Sequence, residues 1–179
     1  MSDPNRITIC AALSAFAAAA AGHAAAEVVS VAGNGFEVRE TAHLGVSPDK
    51  AYALLLQPAR WWDSEHTFSG NAANLALDAR AGGCWCETLP DGGSVEHLRV
   101  VYVSPGKTLR LRGALGPFQG LAVDGVMTWS LKNAAGGTDI SLTYAVGGYA
   151  GGGFGELSKA ADQVLGGQLE RLKKVLLGG

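Results

Sequence analysis

The sequence predicts an α+β domain: a curved antiparallel sheet of seven strands wrapped around one long C-terminal helix, with two short helices after the first strand. Three observations carry this reading. From Phe36 to Val146, apolar and polar residues alternate in short runs punctuated by Gly, Pro, Asn and Asp. A single helical interruption falls early, after the first of these runs. From about Gly155 to Leu177 the apolar period changes to three and four, the mark of one amphipathic helix face. A sheet bent around one helix cannot fill its own middle, so the arrangement predicts an apolar cavity between them.

Residues 1–26 form a separate regime. Arg6 supplies one positive charge, Ile7 to Ala21 is an alanine-dominated apolar run, and Ala24-Ala25-Ala26 offers the small residues a signal peptidase reads. The expectation is a signal peptide cleaved after Ala26 and an exported, periplasmic protein. The apolar run is about 15 residues, short of the roughly 20 a membrane-spanning helix needs, so no stable membrane span is expected in the mature chain. Residues 27–35 read as a flexible lead-in ending in the Gly33-Asn34-Gly35 turn signal. The domain proper is 36–179.

The first strand alternates Phe36, Val38, Ala42 and Leu44 against Glu37, Arg39, Thr41 and His43, with Glu40 interrupting the apolar face. Ser47-Pro48 then opens a helix, Ser47 placed to cap free N–H groups and Pro48 suited to the first turn. Pro58 ends it, and a second short helical piece carries Ala59 to Trp62. Further strands follow around Leu75 and Leu77, from Cys84 to Leu89, and from Val95 to Val103. Three more pass through Leu109 and Leu111, from Leu121 to Lys132, and from Asp139 to Val146. Gly147 to Gly153 reads as a hinge or lid before the closing helix. Gly166-Gly167 within that helix implies either a kink, a close approach, or tolerated weak propensity.

Composition bounds the function. The chain has 179 residues, 47% hydrophobic and 17% charged, which suits one domain with a substantial core. Net charge is −2 with no basic run, so nucleic acid is a poor partner. No phosphate loop, dinucleotide fingerprint or Ser-His-Asp pattern is evident, and no cofactor is predicted. No feature identifies a protein partner.

The candidate site residues come from strand parity. If Asp91-Gly92 is a two-residue hairpin turn, Leu89 faces Ser94 and Glu87 faces Glu96. Trp85, Glu87, Glu96, Leu98, Val100 and Tyr102 then share an inward face, and Cys84, Cys86, His97 and Arg99 the outer one. Glu87 and Glu96 either share a proton on an apolar wall, as candidate acid/base groups with Tyr144, or sit in water at the rim. Met127, Trp129, Leu142 and Tyr144 share the inward parity of their strands, and Leu165 lies on the apolar face of the closing helix. Trp62, grouped with Trp61 and His66, is placed either to stack on a ligand or to pack helix against sheet. Cys84 and Cys86, about 6.5–7 Å apart on a flat strand, would need a bulge to form a disulfide, so packed free thiols are favoured. A metal set of Cys84, Cys86, His97 and His66 lacks any established spacing, and no metal is predicted.

The chain resembles the START/SRPBCC superfamily, whose helix-grip fold is that of the birch-pollen allergen. Within it the chain is similar to activator-of-heat-shock-ATPase homologues and polyketide-cyclase-like proteins. The resemblance is carried by Val46-Ser47-Pro48, Pro58 to Trp62, Ala81-Gly82-Gly83, Val126 to Trp129 and Gly136-Gly137-Thr138, over essentially the whole chain from Phe36. It implies a deep cavity and binding of a small hydrophobic molecule: a lipid, a sterol or a polyketide. Three functions follow as expectations. The first is an exported binding protein with no reaction of its own, the second a cyclase or dehydratase using cavity carboxylates, the third a protein-interaction module. The trp-rich region after the first helix would border the cavity mouth.

Overall fold

The computed structural model describes residues 25–178, and residues 1–24, most of the expected signal peptide at 1–26, lie outside them. One antiparallel sheet forms from β1 (Ala25–Ala32), β2 (Gly35–Leu44), β3 (Leu75–Leu77), β4 (Cys84–Thr88), β5 (Ser94–Ser104), β6 (Thr108–Arg112), β7 (Ala122–Ala134) and β8 (Gly137–Tyr149). Its order is β1-β2-β8-β7-β6-β5-β4-β3. The helices are α1 (Pro48–Leu55) and α2 (Gly155–Leu176). Sheet, early helical segment and C-terminal helix agree with the fold the sequence predicts.

The sheet has eight strands rather than seven. The extra one, β1, occupies the segment read as a flexible lead-in, and the expected cleavage point after Ala26 falls within it. Valines at 28, 29 and 31 favour a strand, but the register against β2 slips between Val28 and Ser30. That irregularity erases the period-two pattern by which a strand is recognised.

On β2, Phe36, Val38, Ala42 and Leu44 are buried, and Glu40 is buried in the same row. Helix α1 starts with Pro48 in its first turn. Ser47 makes no side-chain cap; its carbonyl instead accepts from the Ala51 amide at 3.0 Å. The second short helix is a single 3-10 turn, Pro58–Arg60, with Trp61 and Trp62 just beyond it. All four tryptophans of the chain then pack together. Trp61 lies 5.6 Å from Trp62, 6.3 Å from Trp85 and 5.9 Å from Trp129, centroid to centroid, and Trp62 lies 4.9 Å from Trp85.

Gly147 and Gly148 are not a hinge. They extend β8, paired with Asp124 and Val123, and a Cβ on Gly148 would lie 2.3 Å from the Ala122 carbonyl oxygen. Helix α2 runs unbroken through Gly166-Gly167, and a Cβ at Gly167 would meet nothing within 4 Å. Close approach therefore does not explain Gly167. The helix buries Ser158, Ala161, Leu165, Gln168, Leu169 and Leu172.

Cys84 and Cys86 are disulfide-linked, with Cα atoms 5.4 Å apart, rather than free thiols. The link lies on β4 opposite a register slip in which β5, not β4, carries the extra residue. Among the described residues, no three His, Cys, Asp or Glu side chains come together as a metal site, and no helix is long and apolar enough to cross a membrane.

Candidate ligand-binding site

The site begins with the β4–β5 hairpin. Leu89 donates its amide to the Gly93 carbonyl at 2.9 Å, enclosing a three-residue loop, Pro90-Asp91-Gly92. Gly92 takes a positive φ of 78°, a conformation glycine adopts without a steric penalty. The loop is one residue longer than the two-residue turn predicted, so Thr88 pairs with Ser94, Glu87 with Val95 and Cys86 with Glu96. Before the next pair the register slips back, and Trp85 meets Leu98 as the sequence predicts. His97 is the residue left over.

That bulge redistributes the side chains. His97 and Leu98 are adjacent in sequence yet both buried, at 5% and 1% exposure. Glu96 is turned outward to solvent, where it pairs with Arg99. The predicted Glu87–Glu96 carboxyl pair therefore does not exist. Glu87 is instead buried with His97, whose Nε2 lies 2.8 Å from Glu87 Oε2.

Glu87 is also held from the other side. The Phe68 amide donates to Oε2 at 3.1 Å, and the Ser69 amide donates to Oε1. Burial pushes this carboxyl up, but the bonds from Ser69, Phe68 and His97 outweigh it and leave its pKa below the ordinary value. The segment supplying these amides is anchored at several points. Trp62 Nε1 donates to the His66 carbonyl at 2.9 Å, and the Asp63 amide donates to Gln168 Oε1 of α2 at 2.8 Å. Arg171 of α2 donates to the Trp61 carbonyl and pairs with Asp63.

Between this segment, the sheet and α2 lies a cavity of about 410 Å³, open to solvent. Trp62 and Phe68 form one wall, and His97 and Tyr144 come from the sheet. Leu115 and Phe118 contribute from the loop between β6 and β7. Leu157, Ala161, Val164 and Leu165 close it from α2, while Glu65 and His66 add polar groups. Phe68 is half exposed, with its ring 5.9 Å from that of His97.

Tyr144 is spoken for. Its hydroxyl donates to the Gly113 carbonyl at 2.9 Å and accepts from the Leu115 amide at 2.8 Å. Burial is the main cause that pushes its pKa up to about 12; the Leu115 bond opposes this and Asp124 adds to it. Its ring lines the cavity, but the hydroxyl fixes the loop rather than awaiting a ligand or a proton.

Of the residues expected to touch a ligand, the structure brings Trp62, Tyr144 and Leu165 to the cavity. Trp85, Glu87, Leu98, Val100, Met127, Trp129 and Leu142 do not line it but are buried in the core beneath or beside it. The gap bounded by Trp61, Trp85, Leu109 and Trp129 leaves no volume for a guest. The four tryptophans fill the part of the sheet that the sequence reading left hollow. Sequence reasoning missed His97, Phe68 and Phe118. The signal for His97 was present: a three-residue loop ending in glycine conflicts with the parity of Leu98 and Val100 unless one residue of β5 bulges.

The sequence profile of a family described as polyketide cyclase / dehydrase and lipid transport matches residues 35–177. No curated protein matches the sequence. Among solved structures, a Mesorhizobium loti protein is similar at 21% identity and a TM-score of 0.58, over 79% of this chain and 96% of that one. A Rhizobium leguminosarum protein has 19% identity and a TM-score of 0.60, over 87% and 99%. The Aha1 dimer from Colwellia psychrerythraea has 16% identity and a TM-score of 0.56, over 78% and 95%. At these identities the likeness is one of fold.

Proposed function

The chain belongs to the polyketide cyclase / dehydrase and lipid transport family, and we propose that it is a carrier of a small, mostly apolar molecule. The observation that carries this reading is the cavity: about 410 Å³, walled by aromatic and aliphatic side chains from loop, sheet and α2. That volume lies in the range of small-molecule sites, and such sites are mostly apolar with a few placed polar groups. Burying ~300 Å² of apolar ligand surface would contribute roughly 7–8 kcal/mol before ordering costs, which leaves binding in the range of tens of micromolar once costs of about 1–2 kcal/mol are met. Export rests on the leader pattern around Arg6 and Ala24-Ala25-Ala26; N-terminal sequencing of the secreted protein tests it, with Glu27 as the expected first residue.

Native mass spectrometry of protein purified without hydrophobic additives tests the carrier reading. A co-purifying mass of a few hundred daltons, lost on denaturation, is expected. Spectra of empty protein, with no thermal shift across lipids, sterols and aromatic polyketides, would contradict it.

One observation favours a second reading. The Glu87–His97 pair sets a histidine at the cavity wall with a buried carboxylate behind it, an arrangement used for general-base chemistry. A cyclase or dehydrase would run through His97, not through the carboxyl pair expected from parity. Turnover of a poly-β-ketone substrate, abolished by His97→Phe in protein that remains folded, would support this alternative.

A further inference from the structure

We propose that the Cys84–Cys86 disulfide is a thiol–disulfide exchange site whose substrate is an external thiol donor. It lies on the face of β4 opposite the buried Trp85 and Glu87, so the site is independent of what the cavity holds.

The bond does little as a structural staple. The loop it closes is Cys84-Trp85-Cys86 alone. A disulfide stabilises mainly by restraining the unfolded chain, and that effect shrinks with the length of the loop. The bond also works against its strand: same-face neighbours on a flat strand lie about 6.5–7 Å apart, whereas these Cα atoms are drawn in to 5.4 Å. Nor does β4 need it to stay in the sheet. Leu75, Ala76 and Leu77 of β3 pair with it on one side, and five residues of β5 pair with it on the other.

The sulfurs are also within reach. Both cysteines are partly exposed, while Trp85 and Glu87 point into the core. Their cross-strand neighbours, Ala76, Glu96 and Arg99, are all exposed. Ala76 offers only a methyl group on the short strand β3, which leaves the approach to Cys86 open from that side. Exposed disulfides that gain little from closure are the readily exchanged ones.

The charges beside the bond give the reaction a direction. Arg99 faces Cys84 in register, and its guanidinium donates to the Gly82 carbonyl at 3.0 Å and pairs with Glu96. A cation beside a cysteine favours its thiolate and so makes it the better leaving group. The donor's thiolate attacks Sγ of Cys86; a mixed disulfide forms as the Cys84–Cys86 bond breaks, and Cys84 leaves as the thiolate. A second donor thiolate then attacks the donor sulfur of the mixed disulfide and releases Cys86. The donor loses two electrons and becomes a disulfide, the protein gains them as two thiols, and the two protons given up by the donor thiols are taken up by Cys84 and Cys86. The same steps run backwards with a disulfide-bearing molecule.

The test offers the folded, full-length protein two donors separately: reduced glutathione in mixtures with its disulfide, and a synthetic peptide holding a cysteine pair. Thiols are trapped with N-ethylmaleimide, and the fragment carrying Cys84 and Cys86 is weighed, so Cys10 does not enter the count. Both cysteines should become alkylated as one donor disulfide forms per protein. Reaction with glutathione alone identifies a small-molecule donor, reaction with the peptide alone a protein dithiol, and reaction with both the chemistry they share. Arg99→Gln should slow the exchange on the order of threefold. The reduced protein should melt within about 5 °C of the oxidised form, because the strand pairs hold β4 without the bond. A bond that stays closed against both donors, or a reduced protein that melts far lower, would mark a staple and overturn the proposal. An Arg99→Gln rate equal to wild type would overturn the direction assigned to it.

Discussion

Glu87 of β4 holds the ring of His97 of β5 with a 2.8 Å bond between Oε2 and Nε2, behind a cavity wall that is largely aromatic and aliphatic. The same carboxylate accepts two amides from the segment that forms the cavity's other side. One buried anion thus joins the sheet, the histidine and the Phe68 segment. Its removal should be felt in all three places.

Glu87→Gln leaves a single acceptor oxygen where three donors converge. The expected cost is ~2–3 kcal/mol in urea unfolding, in the range for bonds to a charged group. The pH dependence has a definite sign. The folded carboxyl titrates below its ordinary value of 4.5, so its contribution is complete above that pH and is lost as the pH falls through the folded value. Wild-type stability should decline in acid more steeply than that of the variant. Parallel acid limbs would contradict the assignment.

Glu40 behaves in the opposite sense. It is fully buried on β2, and neither of its oxygens has a hydrogen-bond partner among the described residues. Burial first, then the negative charge of Asp162 on α2, push its pKa from 4.5 to about 8. Its stabilising contribution is therefore complete below pH 4.5 and lost as the pH rises through about 8. Glu40→Met should be more stable than wild type, and the gap should widen from acid to pH 9, reaching on the order of a few kcal/mol. Melting curves across pH check this; a gap independent of pH would refute it.

Tyr144→Phe removes the hydroxyl that both donates to Gly113 and accepts from Leu115. A loss of ~1–3 kcal/mol is expected, with faster amide exchange at Leu115. Gly125→Ala attacks the same contact from the strand, because the added Cβ would lie 2.6 Å from the Tyr144 ring. It should cost ~1–3 kcal/mol by overpacking. Wild-type exchange at Leu115 in both variants would show that the hydroxyl does not hold this loop.

Much of the fold was legible because alternation and helical periodicity survive where a face is continuously buried, as from Phe36 to Leu44 and along α2. The site was less so. Two one-residue irregularities offset each other: a three-residue turn ending in Gly92, and a bulge at His97. Parity therefore placed Trp85 and Leu98 correctly while exchanging the fates of Glu96 and His97. A second error was volumetric. Inward parity marks Met127, Trp129 and Leu142 as internal, but does not say whether the interior there is empty or filled by tryptophan from another segment. Strand β1 escaped notice because its slip at Val28 to Ser30 removes the alternation.

The central claim is that a guest occupies the space between Phe68, His97 and α2. Val164 of α2 lines that space without belonging to the buried core, so Val164→Trp would fill it from the helix side. The measurement is octylphenol binding, followed by calorimetry, to wild-type and Val164→Trp protein. The account predicts that affinity falls at least about tenfold while the melting temperature is retained. Undiminished binding by a folded variant would place the guest elsewhere and contradict the account.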